Sequence, residues 1–258
     1  TGGDVRMLDG PGATELRDGS LLLIASPTHG FTAPWEVVRF VWSLPRGNGR
    51  RAAVLCTRAG LVLGRWHPPG MAGTAPFLIA LALLLRGYRV LGALAVNMPS
   101  NWLSLHTGLT PAAVTKVLTH ARAKVDAFSA QVRGGRRQWL TLNLAWELLG
   151  GLALAPLSLV YLLVATRLLG QYFFATRACT GCGQCALACP VNAITMRGQP
   201  ARPDWSSRCT SCMRCMAWCP RRAIDASWSW GVLTTLLSVL PGAACRVRHS
   251  PPRSTCAS

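Results

Sequence analysis

Two stretches could do chemistry: CTGCGQCALACP at 179–190 and CTSCMRCMAWCP at 209–220. Each reads C-x2-C-x2-C-x3-C-P, and together they hold eight of the chain's 11 cysteines. Thiolates are soft ligands that suit zinc or iron–sulfur clusters. Three thiols at two-residue gaps wrap one face of a cube of four irons and four sulfides, and the fourth leaves on a short helix. Zinc prefers paired C-x2-C arms and four ligands per ion. That arrangement leaves the third cysteine and the closing proline of each run without a role. The spacing predicts two [4Fe-4S] clusters and one-electron transfer; structural zinc is the alternative.

In bacterial ferredoxins the fourth cysteine of this run ligates the other cluster. One set is then Cys179, Cys182, Cys185 and Cys219, and the other is Cys209, Cys212, Cys215 and Cys189. Pro190 and Pro220 turn the chain away after each crossing ligand, and Ala193–Ile194 and Ala223–Ile224 supply matched apolar cover. Cys56, Cys245 and Cys256 lie far from the runs and read as buried or tail thiols. A disulfide framework suits short secreted chains. Clustered thiols in a chain of 258 residues read instead as metal binding in a reducing compartment. The expected location is the cytoplasm, with a membrane-associated form as the variant.

The formal charge is +18, almost all of it from arginine, since Lys116 and Lys124 are the only lysines. Such a balance fits nucleic acid, an anionic membrane surface or an acidic partner, and arginine-favouring codons give it too. Aromatic residues do not interleave with the arginines in a stacking pattern, which argues against nucleic acid. No nucleophile–base pair, phosphate-binding Walker loop or zinc-hydrolase pattern occurs, so no substrate is assigned.

The elements that must carry the cysteines begin far upstream. SLLLIASPT (20–28), AAVLCT (52–57) and YRVLGALAVNMP (88–99) are short apolar runs with the look of buried parallel strands. Between and after them, PWEVVRFVWSLP (34–45), APFLIALALLLRG (75–87) and the long segment 111–135 read as helices, with Pro34 at the start of the first and glycine stops after the others. DVRML (4–8) is a further strand candidate. Strands alternating with helices predict a parallel sheet covered on both faces. Residues 139–174 are apolar all round. From Leu148 to Thr166 they carry no charge and just reach the length of a bilayer span, but Gly150, Gly151 and Pro156 interrupt them. Two spans do not fit, and arginines flank both ends, so helices packed on the protein or lying in the membrane interface are the expectation. A shorter apolar helix is expected at 227–240, then a basic, disordered tail.

The order of these strands and loops, followed by the double cysteine run, resembles the EFR-type family of fused flavodoxin–ferredoxin proteins over roughly residues 5–225. The resemblance implies an α/β flavodoxin-like fold, a doubly wound parallel sheet, and electron exchange between FMN and two four-iron clusters. It places Ser26, Pro27, Thr28, His29 and Gly30 on one side of the flavin ring and Thr57, Arg58, Ala59 and Gly60 on the other. Both loops follow carboxyl ends of strands, where doubly wound folds bind ligands; as plain strand-to-helix turns they would also be rich in glycine and proline. NMPSNW (97–102) resembles a family segment without an assignable chemistry. The family's phosphate-binding loop has no match. It is expected before residue 1, together with the first strand, which makes FMN binding by this chain doubtful.

The expected organisation is a flavodoxin-like domain incomplete at its N-terminus (1–135), an apolar helical connector (136–174), a 2[4Fe-4S] ferredoxin domain (175–226), and an apolar helix with basic tail (227–258). Between Arg177 and Arg222 seven arginines face only Asp204 and Asp225. That excess predicts a redox partner with an acidic docking surface. Two further readings stand beside the electron carrier. One is a membrane-associated iron–sulfur subunit whose first domain is a scaffold without flavin; the other is a non-redox interaction protein with structural metal.

Overall fold

The computed structural model describes residues 19–60, 68–100, 109–165 and 168–227. The strand expected at 4–8, the tail, and all but the first residue of the helix expected at 227–240 lie outside them.

The three apolar runs become strands β1 (Leu22–Pro27), β2 (Arg51–Ala59) and β3 (Arg89–Met98). They pair in parallel, in the order β1-β2-β3. Helices α1 (Trp35–Ser43) and α2 (Ala75–Leu85) are the crossovers. Strand side chains alternate between faces. Ala52, Val54 and Cys56 point to one core with Val37, Val41, Ile79 and Leu83 of α1 and α2. Ala53 points to the other, with Leu91 of β3 and Phe128 and Val132 of α3 (Pro111–Arg133). Both faces of the sheet are thus covered. The long helix α3 starts at Thr110, whose hydroxyl accepts the Ala113 amide, and ends before Gly135, at φ +77°.

The connector begins as a cover for the edge of β3. Gln138 donates its amide to the Leu91 carbonyl at 2.7 Å, and a Cβ on Gly92 would stand 2.6 Å from the Gln138 oxygen. The Asn143 side chain accepts from the Ala95 amide and donates to its carbonyl. An exposed strand edge is a template for unwanted pairing, and these contacts close it. Helices α4 (Leu142–Ala153) and α5 (Ala155–Val160) follow, then a π-helical turn (Tyr161–Ala165). Their joint bends by 69°, and among the described residues no single helix is long and apolar enough to cross a membrane. Pro156 lies in the first turn of α5, where its missing N–H costs least.

The cysteine runs occupy a small unit of short elements. Strand β4 (Phe173–Ala175) pairs antiparallel with β7 (Ile224–Ala226), and β5 (Ile194–Arg197) with β6 (Arg202–Trp205). Helices α6 (Gln184–Leu187) and α7 (Arg214–Trp218) each carry the third cysteine of a run. The described residues therefore form a three-stranded parallel sheet with helices, followed by a small cysteine-bearing domain.

Candidate iron–sulfur site

Each run must curl so that its amides and thiols face one point. The backbone does this identically in both. Gly181 and Ser211 (φ +73° and +54°), Gly183 and Met213 (+75° and +60°), and Asn192 and Arg222 (+49° and +46°) are left-handed at matching positions. Glycine adopts this conformation freely, whereas Ser211 and Met213 give up roughly 1 kcal/mol each or more. The second run thus holds the same curve against local preference. Cysteines 185 and 215 then sit on α6 and α7, which pack on one another.

The thiols ring two recesses. One, with ≈ 330 Å³ of empty space, is lined by Cys179, Cys182, Cys185 and Cys219. The other, ≈ 290 Å³, is lined by Cys189, Cys209, Cys212 and Cys215. Three cysteines of one run thus meet the fourth of the other. Among the described residues, no three His, Cys, Asp or Glu side chains come close enough to hold a single metal ion. The thiols are spread around each recess and are not gathered into the tight tetrahedron of one zinc.

The surroundings fit clusters. Cys189 Sγ accepts the Ala193 amide and Cys219 Sγ accepts the Ala223 amide, each at 3.2 Å. Amide hydrogen bonds to ligand sulfur orient it and set its electron density. Phe173 stacks on Trp205 at 5.8 Å beside the second recess, and both are buried. The buried Trp205 Nε1 and Ser211 Oγ have no hydrogen-bond partner of good geometry, although the indole already favours the Cys215 thiolate. Buried polar groups want partners, and the sulfides of a cluster in the second recess are acceptors. Burial pushes the Cys209 thiol up to about 11 and Cys215 up to about 12. Cys185 is raised by the same cause. A bound metal cation would favour their thiolate forms.

The loops that the flavin resemblance singles out do converge. Ser26–Gly30 and Thr57–Gly60 end adjacent parallel strands, and the Thr28 amide donates to the Thr57 carbonyl at 3.1 Å. The connector occupies the space above them. Arg58 is buried and paired with Glu147 of α4, which also accepts the Ala72 and Gly73 amides at 2.6 and 2.7 Å. Asn97 accepts from Arg58 Nε at 2.8 Å. Tyr161 packs so closely on Gly30 that a Cβ there would stand 2.2 Å from its ring. His29 is buried, its backbone bridged to Thr32, and burial lowers its pKa to about 4. Sequence reasoning missed Glu147, Asn97 and Tyr161. Asn97 opens the NMPSNW segment, and Glu147 left a signal as the lone acidic residue in an apolar stretch that must find a partner when buried.

Residues 178–223 match the family model of the 4Fe-4S dicluster domain. No curated protein and no solved structure matches the chain. The matched segment begins one residue before Cys179 and ends four after Cys219, so it takes in both runs. Residues 178–223 are a ferredoxin-like iron–sulfur domain.

Proposed function

We propose that this chain carries single electrons through two [4Fe-4S] clusters, one held by Cys179, Cys182, Cys185 and Cys219, the other by Cys189, Cys209, Cys212 and Cys215. The observation behind this is the crossing of the runs at both recesses. When bound, a four-iron cluster takes up and gives up one electron without making or breaking a bond to carbon. The chain's own residues do the rest. Eight thiolates hold, two amides donate to the crossing sulfurs, and Met196, Ile224, Phe173 and Trp205 exclude water.

Exchange with FMN rests on the family resemblance alone. Glu147 and Tyr161 stand where a flavin ring would need room between the two loops. This favours reading the first domain as a scaffold that docks the cluster domain. The partner we expect is a redox protein with an acidic surface. Anaerobic purification followed by dithionite titration tests the reading. Broad visible absorbance that bleaches and returns on reoxidation is the expected result; a colourless or redox-silent metalloprotein would sink it.

A further inference from the structure

A double-cluster domain built from a repeat has two equivalent exits for an electron. In this chain the connector breaks that equivalence. Gly170 closes on the second thiol set: a Cβ there would stand 2.4 Å from Cys209 Cβ and 2.9 Å from its Sγ. Buried Tyr161 lies against Gly30 of the sheet domain and donates to the Thr210 carbonyl at 3.5 Å, between Cys209 and Cys212. The Cys189, Cys209, Cys212 and Cys215 set is thus turned toward the chain's own first domain. In that set Cys209 and Cys215 are buried, and neither of the others is exposed.

The other set is open. Cys182 is exposed, and so are Thr180, Gln184, Pro220 and Arg221 on the walls of its recess. Arg177 and Arg222, also exposed, flank the first and last of its ligands along the chain. Among the described residues no carboxylate pairs with Arg177, Arg221 or Arg222. The domain's acidic side chains are engaged elsewhere, Asp204 with Arg197 at 3.1 Å and Asp225 with the Ala226 amide. A basic rim around an exposed redox centre attracts and orients an acidic surface.

Resting on the electron-carrier reading, we propose that the cluster held by Cys179, Cys182, Cys185 and Cys219 is the port through which electrons pass to or from other proteins. Arg177, Arg221 and Arg222 form its docking rim for a partner with an acidic surface. The other cluster is internal. One electron crosses per encounter, and no proton or bond moves with it.

The test compares charge reversals on the two sides of the domain in the cluster-loaded full chain: Arg221→Glu at the port and Arg208→Glu beside Cys209. The probe is a strongly acidic flavodoxin, and its binding is followed by calorimetry at low and high salt. Arg221→Glu weakens binding by about fivefold or more at low salt and the deficit shrinks with added salt, while Arg208→Glu stays within about twofold. Arg177→Glu repeats the port result if Arg221→Glu fails to retain iron. An equal or larger loss in Arg208→Glu overturns the proposal. So does a wild-type chain that ignores the acidic protein but binds anionic phospholipid vesicles through Arg221. Binding does not depend on turnover: if dithionite fails to bleach the wild type, the electron-carrier reading falls, and a port-specific binding loss would then stand apart from it.

Discussion

At the scale of residues, the crossing cysteines are the sharpest point of the account. Cys219 follows Cys209, Cys212 and Cys215 in the chain but lines the recess of Cys179, Cys182 and Cys185. Cys219→Ala is expected to remove about four irons, half of those in two four-iron clusters. Adding Cys182→Ala should remove no more, since both belong to one cluster, whereas adding Cys212→Ala should remove nearly all. The reverse pattern on iron assay would show that each run holds its own cluster. A second residue carries a pH signature. Burial lowers His29 from the usual 6.5 to about 4. The unfolded chain therefore takes up this proton at higher pH than the folded chain. The His29 contribution is fully present above pH 6.5 and is lost as pH falls through 4, up to about 3 kcal/mol. His29→Gln should flatten that part of the Tm profile below pH 6.5; superimposable profiles would show that His29 is not held neutral.

At the scale of elements, much was legible in the sequence. The parallel strands and their crossover helices stand out because short apolar runs and glycine or proline stops are local signals. The same holds for the cysteine loops, whose spacing is their geometry. The connector was only half legible. Gly150, Gly151 and Pro156 announced a broken helix, but the partner of Glu147 lies 89 residues upstream at Arg58, and no local pattern links them. Close approach explains the small residues: a Cβ on Gly151 would stand 2.8 Å from the Gly73 backbone. Removing one partner of a buried pair leaves an uncompensated charge, so Glu147→Ala should cost about 3–5 kcal/mol in chemical denaturation. A loss under 1 kcal/mol would mean that α4 does not clamp the sheet. The same clamp bears on the membrane. Leu144, Glu147 and Gly151 are buried against the protein, so one face of α4 is held by the sheet domain, while Leu148, Leu149 and Leu152 on the other face are exposed. Carbonate washing of membranes from expressing cells should release the chain; full retention in the pellet would mean that the bent α4–α5 pair enters the bilayer as a broken span.

At the scale of the whole molecule, a parallel sheet, a bent apolar clamp and a cluster domain lie in series, and the clamp touches both neighbours. Glu147 holds the crest of the sheet, and Tyr161 and Gly170 hold the loop of Cys209. The flavin contacts implied by family resemblance concern two loops, Ser26–Gly30 and Thr57–Gly60, which lie side by side at the ends of adjacent strands. Resemblance was silent on the connector, whose Glu147 and Tyr161 contact Arg58 and Gly30 of those loops. On the proposed reading, electron transfer resides in the cluster domain and the sheet domain is the scaffold on which it is mounted. The most direct test is anaerobic purification of the chain followed by iron, acid-labile sulfide and flavin analysis. The account predicts about eight iron and eight sulfide per chain, the content of two four-iron clusters, with flavin far below one. Two metal ions per chain without sulfide, or a full equivalent of FMN beside the iron, would contradict it.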